Sequence, residues 1–132
     1  MAGRLPSLLV DTDVFIDYLN GAEGIRKILD SPAHVIYYSP VARKELLRKP
    51  NLSSSERDRI RVLLLKHRLI PVDEKIADRF SRLLAKYGHH GLRNADALVA
   101  ATAWARTLPL LTSNIRHYRF IEEITVVDPA AL

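Results

Sequence analysis

The sequence predicts a three-layer α/β/α sandwich around a central, mostly parallel sheet of about five strands. Short apolar runs alternate with longer helix-patterned segments along the whole chain. Polar residues suited to helix capping (Asp13, Ser39, Asp73, Asn114) follow the runs, so strands feed into helices and pair in parallel through right-handed crossovers. No repeat, low-complexity stretch or linker interrupts the 132 residues, and residues 1–132 read as one domain.

In order, residues 7–10 (Ser-Leu-Leu-Val) read as a buried strand ending at Asp11. A short helix over 14–19 follows, with Asp13 as its N-cap. Asn20-Gly21 breaks the pattern, which resumes helically over 22–29. Residues 34–38 are β-branched and aromatic enough for a second strand. Ser39-Pro40 supplies an N-cap and an N1 proline for a helix through Glu45 to Leu47. Ser53-x-x-Glu56 is a capping box opening a helix to about His67. A strand over 69–72 precedes a helix over 74–87, capped by Asp73 and stopped by Gly88. The next helix, 95–106 with Asn94 as its cap, is apolar nearly all round and is expected to be buried on most sides. Residues 110–112 and 124–127 complete the strands.

Composition narrows the chemistry. The absence of cysteine excludes disulfides, Cys-based zinc sites and thiol catalysis, and it fits a reducing cytoplasm. The apolar run near the N-terminus is too short for a signal peptide, and no stretch approaches a membrane span. The expected setting is cytoplasmic, without a membrane. Net charge is +5 and the sequence pI about 9.7, which favours a polyanionic partner without naming one.

Asp11 leaves a buried strand at the edge where ligand sites form in such sheets, and Asp13 takes the capping task from it. Asp96 sits in the first turn of an apolar helix, where the helix dipole offers a structural use. With Asn94 as cap, however, its charge needs another partner to offset desolvation. Ala100 and Ala103 let that helix approach the sheet and carry Asp96 toward the strand ends. Glu45, among Arg43, Lys44, Arg48 and Lys49, reads alone as a surface salt-bridge residue. Thr112-Ser113-Asn114 suits either a turn or a site wall that hydrogen-bonds a carboxylate, a water or a phosphate. Arg116, His117 and Arg119 read as a polyanion-holding loop or as a solvated basic one, and Arg93 joins them as a candidate for the positive rim. Carboxylates that converge repel and protonate unless a cation lies between them. Oxygen-only ligands select a hard ion, Mg²⁺ or Mn²⁺. An acidic metal centre in a basic protein suggests hydrolysis of nucleic acid. His89 and His90, between Gly88 and Gly91, read as a flexible surface loop.

These residues match a known pattern. Leu8-Leu9-Val10-Asp11-Thr12-Asp13-Val14-Phe15-Ile16-Asp17-Tyr18-Leu19 resembles the opening motif of PIN domains, in particular VapC-like toxins. Ser39-Pro40-Val41-Ala42-Arg43-Lys44-Glu45-Leu46 resembles their second block. Asn94-Ala95-Asp96-Ala97-Leu98-Val99-Ala100-Ala101-Thr102-Ala103 resembles the third, and Leu110-Leu111-Thr112-Ser113-Asn114 the fourth. The resemblance implies an endoribonuclease that needs Mg²⁺ or Mn²⁺, with Asp11, Glu45 and Asp96 as ligands and Thr12, Asp13, Thr112 and Ser113 in support. It also implies a homodimer and a cognate antitoxin. Two departures stand out: Asp13 replaces the family's common asparagine or serine, and Asn114 stands where a fourth acid is often found. Asn114 can ligate or orient water but brings no charge, so the fourth acid that would serve a second ion is missing.

Two rival readings accompany this one. Asp11-Thr12-Asp13-Val14 also fits the first motif of haloacid-dehalogenase-like phosphatases, but no lysine follows Thr112 or Ser113 as that family's motif order requires. The other rival is a non-catalytic RNA-binding module of the same fold, against which the three acids argue because each repels RNA unless a metal is present.

Overall fold

The structure, a computed structural model, describes residues 6–132; residues 1–5, part of the N-terminal stretch read above for a signal peptide, lie outside the described residues. Its sheet has five parallel strands: β1 (Ser7–Val10), β2 (Val35–Tyr38), β3 (Arg68–Leu69), β4 (Leu110–Leu111) and β5 (Val126–Val127). Their spatial order is β3-β2-β1-β4-β5. The chain therefore builds outward from β1 to one side, then crosses back to place β4 on the other. The change of direction falls between β1 and β4, and the carboxyl ends of those strands form the crevice where ligands bind in open parallel sheets.

Helices cover both faces, so the expected three layers are present. The alternation of side chains along each strand divides the core. Leu8 and Val10 of β1, with Ile36 and Tyr38 of β2, pack against α1 (Thr12–Leu19), α2 (Glu23–Asp30), α3 (Pro40–Leu47) and α4 (Ser54–Leu65). Leu9 and Leu110 face the opposite layer of α5 (Glu74–Tyr87), α6 (Asn94–Arg106) and the one-turn α7 (Ile115–Tyr118). In α6, Ala97, Ala100, Ala101 and Ala103 are buried, small residues that permit the expected close approach to the sheet. No helix is long and apolar enough to cross a membrane among the described residues.

Several local expectations need correction. Helix α1 begins at Thr12, and its N-cap is Asp11, whose carbonyl accepts the Val14 N–H at 3.2 Å; Asp13 is inside the first turn. Helix α6 begins at Asn94, with Arg93 at the N-cap and no side-chain capping bond. The third strand is shorter than expected: Ile70 N–H still bonds Tyr38 O at 2.9 Å, but the next bond of the parallel ladder would come from residue 40 of the neighbouring chain segment, and Pro40 has no N–H to give. The surface segment read as a flexible loop, Gly88–His90, is exposed and forms a 3₁₀ turn with His90 stacked on Phe120, centroids 5.4 Å apart. The segment read as a basic loop coils into α7. The capping box at Ser53 and Glu56 and the Asp73 cap form as expected.

Candidate active site

Hydrogen bonding between strands continues past the ends of β1 and β4. Asp11 N–H donates to Leu111 O at 3.0 Å, and Thr112 N–H donates to Val127 O at 3.1 Å. Asp11 and Thr112 thus leave the sheet side by side. The Thr112 hydroxyl donates to Asp11 Oδ2 at 2.9 Å and lies 3.3 Å from Asp13 Oδ1, so its single proton is shared between two carboxylates. It also accepts the Asn114 N–H at 3.0 Å. Ser113 N–H donates to Asp13 Oδ2 at 2.9 Å, which turns Asp13 from the expected cap into a wall of the crevice. The other oxygen of Asp11, Oδ1, accepts the Thr12 N–H at 3.0 Å.

Electrostatically the centre is under-compensated. Asp11 is 7% exposed, and burial, followed by repulsion from Asp13, pushes its carboxyl up to about 6 despite the hydrogen bonds it accepts. Burial also raises Asp13. No lysine or arginine pairs with either acid among the described residues. An excess of buried negative charge with only oxygen donors around it fits a hard divalent cation.

The other predicted acids attach to this centre through hydroxyls. The Thr12 hydroxyl donates to Glu45 Oε1 at 2.5 Å. Asp96, at the third position of α6, accepts the Tyr118 hydroxyl on Oδ1 at 3.2 Å, and its Oδ2 lies 3.5 Å from His117 Nδ1. Asp11 is close enough to the same hydroxyl for Tyr118 to hold its carboxyl lower than burial alone would. Burial and the two carboxylates push the tyrosine hydroxyl far above its ordinary range, so it remains a donor. Asp11 is therefore the hub: Asp13 meets it through Thr112, Asp96 through Tyr118, and Glu45 through the adjacent Thr12. As the side chains stand, no three histidine or acidic groups among the described residues enclose a metal-sized space. Glu45 lines a 260 Å³ cavity with Ile16, Lys49 and Ile60, whereas Asp96 lines a separate one of 220 Å³.

Arg93 and Arg116 line the cavity beside Asp96, together with His90, His117 and Phe120; Arg119 is exposed and does not line it. None of the three arginines makes an ion pair among the described residues. Asn114 is exposed at the N-cap of α7 and makes no side-chain capping bond. Sequence reasoning gives Tyr118 no role. The signal that could have found it is an aromatic residue in a stretch of basic ones, three positions after Ile115, which places it on the inner face of a helical turn.

Comparison with known proteins shows the family. The PIN domain profile matches residues 8–122. Ribonuclease VapC10 of Mycobacterium tuberculosis is 32% identical over 124 residues, covering 89% of this chain and 90% of the relative. Ribonuclease VapC19 of the same organism is 30% identical over 121 residues, covering 88% and 95%. Among solved structures, a DNA-bound VapBC from Salmonella typhimurium superposes with a TM-score of 0.83 at 20% identity, over 96% of this chain and 99% of that one. A toxin–antitoxin complex from Klebsiella pneumoniae gives 0.73 at 27% identity, over 92% and 97%. The profile spans the whole run from β1 past α7 and takes in the Asp11-Thr12-Asp13 motif that the phosphatase reading had claimed; the chain belongs to the PIN domain family.

Proposed function

We propose that residues 1–132 act as one cytoplasmic domain, an endoribonuclease that hydrolyses RNA with Mg²⁺ or Mn²⁺ and serves as the toxin of a toxin–antitoxin pair. The observation that carries this reading is the carboxylate hub at the β1–β4 crevice, with Asp11 buried beside Asp13 and no lysine or arginine paired with either among the described residues. The ribonuclease relatives supply the substrate class. Asp11, Asp96 and Glu45 would hold the ion, with Asp13 as a further carboxylate where Asn114 brings no charge. Once bound, the ion supplies a Lewis acid for the phosphodiester and lowers the pKa of a nucleophilic water.

The chain's own residues do the rest. Thr112 and Ser113 fix Asp11 and Asp13 through one hydroxyl and one amide. Thr12 steadies Glu45. Arg93 and Arg116, beside Asp96 and without an ion pair among the described residues, would take phosphates flanking the scissile one, and Arg119 adds to the field that draws RNA past the acids. Val62 and Leu65 of α4 are 50% and 78% exposed, which suits a homodimer contact. The toxin–antitoxin complexes among the structural neighbours support a cognate antitoxin as the second partner. The test is cleavage of a labelled RNA by purified protein in Mg²⁺ or Mn²⁺, with and without chelator. Cleavage that survives the chelator would overturn the metal mechanism.

A further inference from the structure

Tyr118 is a buried tyrosine whose hydroxyl donates to one candidate ligand, Asp96, and borders another, Asp11. It is 1% exposed, and its ring packs in the layer formed by α5 and α6. The backbone around it is closed, with Ile121 N–H bonded to Tyr118 O at 2.9 Å and Arg119 N–H bonded to Ile115 O at 2.9 Å. The hydroxyl donates its one proton to Asp96 Oδ1 at 3.2 Å, at the start of α6. The same group borders the Asp11 carboxylate at the end of β1, whose charge it helps to stabilise.

A lysine or arginine at this point would tie the two acids more strongly, but it would also cancel the charge that attracts a cation. A hydroxyl sets their spacing and leaves that charge in place. We propose that Tyr118 is a positioning residue, whose hydroxyl holds the Asp11 and Asp96 carboxylates at the spacing a divalent cation needs. This rests on the metal-dependent reading of the same site. Partners of this kind, one bond away from the ligands, commonly change metal affinity by about tenfold to a hundredfold when removed.

The experiment is calorimetric titration of Mn²⁺ into RNA-free wild type, Tyr118→Phe and Tyr38→Phe. Phenylalanine retains the ring and its packing and removes only the hydroxyl. Tyr38 is likewise buried, but its hydroxyl bonds Leu64 O at 3.2 Å, away from the acids, so Tyr38→Phe is the control for losing a buried phenol. The expected result is a Kd for Mn²⁺ at least about tenfold weaker in Tyr118→Phe and unchanged in Tyr38→Phe. The Mn²⁺ concentration that half-saturates RNA cleavage should rise by the same factor, which a packing defect alone would not produce. If wild type binds Mn²⁺ and Tyr118→Phe binds it equally well or more tightly, the positioning role fails while the metal site stands. Should wild type bind no Mn²⁺, the metal reading falls and takes this role with it. A Tyr118→Phe chain that does not fold would assign the hydroxyl to the fold instead of the site, and would also overturn the proposal.

Discussion

Asp11 and Thr112 are 101 residues apart in sequence and share a 2.9 Å hydrogen bond, because each is the first residue beyond its own strand at the centre of the sheet. That bond joins the two halves of the crevice. The Thr112 hydroxyl serves two carboxylates and one backbone N–H, so Thr112→Val leaves buried oxygen acceptors without a donor. A loss of about 1–3 kcal/mol is expected, the usual cost of stranding buried polar groups. Thr112→Ser should recover most of it. Urea denaturation of the three proteins at neutral pH measures the difference.

The raised Asp11 carboxyl makes a prediction about pH. Its folded value is about 6 against 3.8 for the free group, so between these values the folded state holds more protons than the unfolded state. Stability of the metal-free protein should therefore fall as pH rises from 4 to 7, with this group contributing roughly 3 kcal/mol at most. Below pH 3.8 both states are protonated and the contribution levels off. Asp11→Asn should remove most of that slope and be the more stable protein at pH 7 without metal, yet show no cleavage. Thermal melts in chelator from pH 4 to 8 test it. A wild-type curve that rises toward neutrality would contradict the assigned burial cost.

Much of this site is legible in the sequence, for reasons that differ by residue. Asp11 follows an unbroken apolar strand and Asp96 opens an apolar helix, so strand-end position and helix patterning point to both. Asp13 passes for a cap because capping preference alone cannot choose between two aspartates in one turn. Its actual partner is the Ser113 N–H, 100 residues further on. Asn94 misleads in the same way: it is a good capping residue, yet it lies inside a helix whose cap is one position earlier. Tyr118 leaves only the spacing from Ile115 as a sign, because α7 spans Ile115–Tyr118 and a single turn is too short for a full helical pattern. Glu45 looks like a surface acid until its hydrogen bond to Thr12 is known.

RNA binding should carry the signature of unpaired arginines. Replacing Arg93, Arg116 and Arg119 with alanine, in an Asp96→Asn background so that RNA is bound and not cut, should weaken binding. It should also flatten the dependence of log K on log salt, by about 0.7 for each single-strand phosphate that is no longer neutralised. Because Arg119 lies outside the cavity beside Asp96, its single replacement should have the smallest effect of the three. Fluorescence anisotropy across a salt titration reads both quantities.

Self-association should depend on the exposed apolar side chains of α4. Val62 and Leu65 face solvent while Ile60, Leu63 and Leu64 fill the core, so glutamate at the first two positions should leave the fold intact. The double replacement should convert a dimer into a monomer by light scattering at micromolar concentration. A wild type that is already monomeric there would count against the interface.

Asp96→Asn separates two uses of one carboxylate. The acid occupies the first turn of α6, which has no side-chain cap, so a favourable interaction with the helix dipole is available to it. If that were its purpose, asparagine would cost at most about 1 kcal/mol and cleavage would continue. The surroundings argue otherwise. Asp96 accepts the Tyr118 hydroxyl beside Asp11, the carboxyl most strongly raised by burial, so its charge adds to an excess that only a cation would relieve. Asparagine keeps the size and can still accept the Tyr118 hydrogen bond, while removing the charge. Cleavage should fall by orders of magnitude with the fold retained, and the metal-free protein should be no less stable than wild type. Mg²⁺ should raise the melting temperature of wild type, as any ligand of the native state does, and should raise that of the variant much less. A variant that cleaves RNA at the wild-type rate, or that gains as much from Mg²⁺, would return Asp96 to the helix dipole and leave the ion without its second anchor.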